Sequence, residues 1–227
     1  MRTVVISSND NPNYIDCLPY VQKAWNKLGW NTLTFYLGNK AINSTHQNKI
    51  VKIKKVKHYR DSTVLQVYRL FGAKYAKGLL MTSDVDMLPI SNYWQPQEDN
   101  FTVYGEDLTG YRHFPMCYIS APSELWEKII PEKSIEELLN KYNCARSKEF
   151  NDWWYTDQQI ITERLKPLNP IKINRGKNKY NLAKGRVDRC NWQNTLEIDD
   201  KKIDAHLIKA TNPSFQKEIA KIMTLIK

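Results

Sequence analysis

Long apolar runs are absent from this chain of 227 residues. A helix that crosses a bilayer needs about 20 consecutive apolar residues, so no transmembrane segment is expected. The chain opens directly on an apolar stretch, Thr3-Val4-Val5-Ile6, with no targeting segment expected before it. Cysteine is scarce, and Cys17, Cys117, Cys144 and Cys190 stand far apart with no CxxC spacing. That argues against a zinc site and fits a reducing compartment. Missing too are a P-loop, GxGxxG, HExxH and a Ser/His/Asp order, which removes the commonest hydrolase and kinase readings. No RNA-recognition, zinc-finger or helix-turn-helix pattern occurs. No internal repeat or clear linker breaks the chain, so residues 1–227 are expected to form a single domain.

What is present is an ordinary globular composition, 41% hydrophobic and 26% charged. Lys plus Arg number 34 against 24 Asp plus Glu, a formal charge of +10. Such a balance favours anionic partners: nucleic acid, nucleotide diphosphates or an anionic surface. The lysines cluster at 48–58, 172–184 and 201–202, and solvated faces account for most of them.

One stretch organises the rest, Gly78-Leu79-Leu80-Met81-Thr82-Ser83-Asp84-Val85-Asp86-Met87-Leu88-Pro89. Leu79 to Met81 reads as a short strand buried on both faces. In an extended backbone the i, i+2 spacing turns Asp84 and Asp86 the same way, and Pro89 ends the ladder. Two acceptor-only groups would then project from the C-terminal end of a buried strand, the edge where open α/β sheets bind ligands. Like charges so close need a partner, and a hard divalent cation with oxygen ligands is the natural one. A solvated loop tip is the alternative.

Around it the chain reads as strand, helix, strand, strand, helix, strand, the rhythm of an α/β fold with a mixed, mostly parallel sheet flanked by helices. Val4 to Ser7, Thr32 to Tyr36 and Lys49 to Val56 read as strands. A helix is expected over Tyr14 to Leu28, beginning in earnest near Pro19 and stopping at Gly29. Asp61 or Ser62 can cap a helix carrying Leu65, Tyr68, Leu70 and Phe71. Beyond Asp86, strands are expected at Phe101 to Tyr104, Met116 to Ser120, Leu168 to Ile173 and Ile203 to Ile208. Helices are expected at Pro122 to Ile130, after a Ser134–Glu137 capping box, from Thr156 to about Leu165, and from Asn212-Pro213 onward.

Several side chains could carry chemistry. His206 falls near the end of the last strand; if that strand returns beside the aspartates, its imidazole could be a third metal ligand, although a half-buried histidine needs no such role. Lys209 could neutralise a diphosphate oxygen or simply be a surface lysine. Asp157 and Gln158 open a helix, where capping explains a carboxylate by itself. Trp153, Trp154 and Trp192 could stack on sugar rings or belong to the core.

These pieces resemble a GT-A-type glycosyltransferase acting on nucleotide-sugar donors. The chain looks most like the small glycosyltransferases encoded by large chlorella viruses, and is similar more distantly to the glycogenin and lipopolysaccharide galactosyltransferase group. The resemblance is specific at Val5-Ile6-Ser7-Ser8, Tyr68-Arg69-Leu70, Ser83-Asp84-Val85-Asp86, Asp157-Gln158 and His206. It implies Mn²⁺ (or Mg²⁺) held by Asp84, Asp86 and His206 on the donor diphosphate, with Val85 between the carboxylates. It implies that Ser7, Ser8 and Asn9 take the base and ribose, that Arg69 approaches the donor, and that Asp157-Gln158 lies near the reacting sugar. Lys209 departs from the distant group's His-x-x-Gly-x-x-Lys pattern, being reached through Leu207-Ile208. The expected organisation is a nucleotide-binding half over about 1–90 and an acceptor half over about 91–227. Donor, acceptor and place follow from the resemblance: a UDP-sugar, a glycan or glycoprotein, no nucleic acid, and a cytoplasmic setting, that of the host cell if the protein is viral. The chain could be one domain of a longer polypeptide. The Asp-Gln match leans towards retention of configuration; inversion would need a general base, with Asp157 as candidate. A nucleotidyltransferase on a similar fold and a basic nucleic-acid or anionic-surface binder are the competing readings.

Overall fold

The computed structural model describes residues 1–110, 112–142, 155–178, 183–188, 201–207, 210 and 212–226. Its centre is the first strand, β1 (Arg2–Asn9), flanked on both sides by parallel partners, β2 (Asn31–Leu37) and β4 (Leu79–Thr82). The run Thr3-Val4-Val5-Ile6 suits such a position, since a strand covered on both faces has no polar face to present. Its side chains divide between two cores. Val4 and Ile6 join one with Trp25, Trp30 and Met81, and Val5 joins the other with Leu33, Phe35 and Leu80.

β3 (Asn48–Lys52) extends the sheet beyond β2. On the other side β4 pairs antiparallel with β7 (Ile119–Pro122), followed by β6 (Thr102–Tyr104) and β8 (Ile171–Ile173), giving the order β3-β2-β1-β4-β7-β6-β8. A smaller sheet, β5-β10-β9, is built from β5 (Met87–Pro89), β9 (Arg186–Val187) and β10 (Asp204–His206). Helices α1 (Pro12–Ile15), α2 (Leu18–Lys27) and α7 (Pro213–Leu225) share one core with this small sheet. The second core takes α3 (Asp61–Tyr68), α4 (Ser123–Ile129), α5 (Ile135–Tyr142) and α6 (Thr156–Leu165). No described helix is long and apolar enough to cross a membrane.

Departures from the expected boundaries have local causes. The helix over Tyr14 to Leu28 is split into α1 and α2 at Asp16-Cys17, with Pro19 in the first turn of α2 and Gly29 at φ +78 beyond its end. Asp61 does not cap α3; Arg60 holds that position, and Asp61 is the first helical residue, 2.9 Å from Lys55. Thr156 likewise opens α6 rather than capping it, with Tyr155 at the cap. The Ser134 cap is present: its Oγ accepts from the Glu137 N–H at 3.2 Å, and the Glu137 carboxylate accepts from Lys133 N–H at 2.9 Å. The strand expected at Met116 to Ser120 starts only at Ile119, because Tyr118 sits at φ +79, a left-handed conformation that interrupts an extended chain. The third strand stops at Lys52, short of Val56.

Candidate functional site

The Asp84-Val85-Asp86 segment leaves β4 as a turn, not as the extended backbone that its spacing suggests: the Met87 N–H donates to the Asp84 carbonyl at 3.2 Å. That turn feeds β5, where Pro89 pairs in register with Asp204 as the strand's last residue, so the chain resumes a ladder before the proline ends it. The two carboxylates still meet in one place. Both line a cavity of about 380 Å³, within the range of small-molecule sites.

The cavity opens at the C-terminal ends of β1 and β4. Ser7, Ser8 and Asn9 line it from β1, and Tyr14 from α1. Ser62, Leu65, Gln66 and Arg69 contribute from α3 and the 3₁₀ turn that follows it. Pro115, Met116 and Cys117 come from the loop before β7, Asp157 and Gln158 from the start of α6, and His206 from β10. A more open hollow of about 560 Å³ lies against α2 and the start of β3. It is lined by Pro19, amides and two lysines, with no carboxylate, thiol or imidazole, so it offers no catalytic chemistry.

Two contacts define the chemistry. The first brings late chain to early chain. β10 runs antiparallel to β5, Leu207 N–H donates to the Asp86 carbonyl at 2.7 Å, and His206 Nε2 lies 3.2 Å from Asp86 Oδ2. The second is a guanidinium clamped between acids. Arg69, only 5% exposed, bonds Asp84 Oδ1 and the Ser83 carbonyl through Nη1 and Asp157 Oδ2 at 2.6 Å through Nη2. Gly72, in the same 3₁₀ segment, lets Arg69 come this close to the sheet: a Cβ there would stand 2.6 Å from Val5 Cγ2.

Asp157 is 1% exposed, and burial pushes its carboxyl pKa up despite the adjacent Arg69. Both of its oxygens are engaged, Oδ2 by Arg69 and Oδ1 by the Gln158 N–H at 2.8 Å. The cavity thus holds three carboxylates, Asp84, Asp86 and Asp157, against one guanidinium, Arg69. With His206 neutral, three minus one leaves two negative charges, inside a protein of net charge +10. An anionic ligand entering this space needs an added cation. Two carboxylates and an imidazole are suitable donors for a hard or borderline divalent ion. Asp86 and His206 already converge. Asp84 is turned to Arg69, and among the described residues no three His, Cys, Asp or Glu side chains form a cluster able to hold an ion.

Sequence reasoning missed the support beneath His206. Asp204, two residues earlier on β10, is fully buried between Arg175 and Arg186. It accepts from Arg175 at 2.7 and 3.0 Å and from Arg186 at 2.9 and 3.1 Å, which holds its carboxyl well below the usual range. The available signal was an acid set between Ile203 and Ala205 in a short strand. Cys117 was not foreseen in the cavity either; burial pushes its thiol up to about 12, so it is not a ready nucleophile. Lys209, Trp153, Trp154 and Trp192 lie outside the described residues.

No protein-family model and no curated protein matches the chain. Solved structures do. The crystal structure of the apo-form glycosyltransferase GlyE from Streptococcus pneumoniae TIGR4 aligns with a TM-score of 0.51 at 12% identity over 76% of this chain. A second crystal structure of GlyE aligns with a TM-score of 0.50 at 12% identity, also over 76%. The chain spans 45% and 44% of the length of the chains in those two structures. At that identity the likeness is one of fold: a mixed α/β architecture, its central sheet flanked by helices, shared with glycosyltransferases.

Proposed function

We propose, taking this shared glycosyltransferase fold as premise, that the chain moves a sugar from a nucleotide-diphosphate donor, a UDP-sugar above others, to a hydroxyl of a glycan or glycoprotein. The observation that carries the reading is that Asp84, Asp86 and His206 line one cavity of formal charge minus two, with Asp86 and His206 in contact. A diphosphate does not enter such a space alone. Asp86 and His206 would hold Mn²⁺ or Mg²⁺, with Asp84 joining them on leaving Arg69, and the bound ion would neutralise the diphosphate and support its departure as a leaving group.

The rest falls to the chain's own groups. Ser7, Ser8 and Asn9, at the mouth of β1, face the base and ribose. Arg69 brings a fixed positive charge to the side of the cavity where negative charge grows as the glycosyl bond breaks. Asp157 holds Arg69 in place rather than taking a proton, since it is buried with both oxygens occupied. That supports retention over inversion, with Gln158 towards the sugar face. A basic binder of nucleic acid is the lesser reading, and the negative cavity speaks against it.

Thermal unfolding with UDP and Mn²⁺ tests this, because a ligand that binds only the folded state raises the melting temperature. Asp86→Ala is expected to fold, to lose the Mn²⁺-dependent part of the rise, and to abolish sugar transfer. Transfer at the wild-type rate by the folded variant would exclude the site.

A further inference from the structure

Among the described residues most aromatic side chains are packed away, but Tyr155 is 42% exposed. It stands immediately before α6, whose next residues include Asp157 and Gln158 of the cavity wall. Its ring stacks on that of His113, with centroids 6.1 Å apart and planes 25° from parallel. His113 in turn lies two residues ahead of Pro115, which lines the cavity from the opposite loop. The two supports are tied together: Phe114 N–H donates to Thr162 Oγ1 of α6 at 2.7 Å, and Thr109 Oγ1 donates to the His113 carbonyl. Among the described residues, the other exposed large apolar ones, Met1, Tyr75, Leu168 and Ile171, do not neighbour a cavity-lining residue in the chain.

We infer that the Tyr155–His113 stack is a binding platform for the acceptor, and that the acceptor presents a pyranose ring to it. This rests on the transferase reading above. A flat aromatic face covers the apolar C–H face of a sugar at little conformational cost, because the ring has few torsions to freeze. The imidazole edge offers a polar partner to a ring hydroxyl. The placement also divides the cavity. Ser7, Ser8, Asn9 and Tyr14 are at the β1 end, so a donor nucleotide lying there leaves the α6 end, where Tyr155 stands, for the second substrate. Neither ring lines the cavity itself, so a sugar resting on Tyr155 would sit beside it, next to Asp157 and Gln158 of its wall.

Saturation-transfer NMR with the methyl α- and β-glycosides of common hexoses tests the platform without knowledge of the natural acceptor. UDP with Mn²⁺ serves as the separate probe of the donor end. At least one glycoside is expected to bind the wild type. Tyr155→Ala is expected to weaken it about tenfold, the size of one lost aromatic contact. Tyr155→Trp is expected to restore it, and none of these variants should change UDP binding. Failure of every glycoside to bind the wild type, or equal binding to Tyr155→Ala, overturns the platform. If glycoside binding follows Tyr155 while UDP never binds, the platform stands as a sugar site and the transferase reading falls. If UDP binds and Tyr155 makes no difference, the platform falls and the transferase reading survives.

Discussion

Arg69 is the residue on which the cavity's balance turns. It is buried, and so is Asp157, while the Asp84 side chain is 40% exposed and leans on water as well. Removing the guanidinium leaves the buried Asp157 carboxylate with only the Gln158 N–H as a partner. Arg69→Met is therefore expected to destabilise the fold by about 3–5 kcal/mol, read as a shift in the urea midpoint, nearly all of it through Asp157. Much at this scale was legible. Two acids behind a short apolar strand, and one histidine among so few, announce themselves by standing where charge is unusual. The clamp was not legible, because Arg69 and Asp157 are 88 positions apart and nothing in either neighbourhood names the other. Asp157 itself could be read as a helix-opening acid or as a base. Only its burial and its two engaged oxygens separate these roles.

Among the elements, β10 matters most and is the least self-sufficient. Its Asp204–His206 span is too short to hold itself, and the fully buried acid at its start anchors it to Arg175 and Arg186. Asp204→Asn keeps the shape but leaves two guanidinium groups facing a neutral amide. A loss of about 3–5 kcal/mol is expected in urea denaturation. Under the proposed function, the same variant should weaken Mn²⁺ binding measured by paramagnetic resonance, although His206 is untouched, because the strand that presents the imidazole loosens. The periodicity of the sequence was enough to find most helices and the apolar strands. It misplaced β7 by three residues, since the left-handed backbone at Tyr118 is set by packing and carries no glycine to signal it. It gave no sign of β5, whose apolar Met87-Leu88 looked like the tail of the motif and not a strand of another sheet.

At the scale of the whole molecule, stability in acid rests on carboxylates that folding makes stronger acids. Glu132 is held by Arg164 at 2.6 and 2.8 Å, and its pKa is lowered from 4.5 to about 2. Below about pH 4.5 the unfolded chain takes up this proton more readily than the folded one, so the contribution is intact above that pH and fades as pH falls towards about 2. Urea midpoints at about pH 6 and about pH 3 should therefore fall less in Glu132→Gln than in the wild type, the variant being weaker at the higher pH but flatter. The positive charge of the chain was plain from composition, whereas the negative cavity within it was not, since charge totals carry no position. The order of the strands was likewise only half visible: β1, β2 and β4 follow the alternation of strand and helix, but the reversal at β7 is a tertiary choice. The meeting of Asp86 and His206, 120 residues apart, has a consequence for how the protein comes into being. A ribosome delivers the acid pair early, with β5 still lacking the neighbour that completes its ladder. The imidazole arrives on the strand that supplies those hydrogen bonds. Completion of the small sheet and readiness of the cavity are then one event, and a nascent chain halted before it lacks the Asp86–His206 contact.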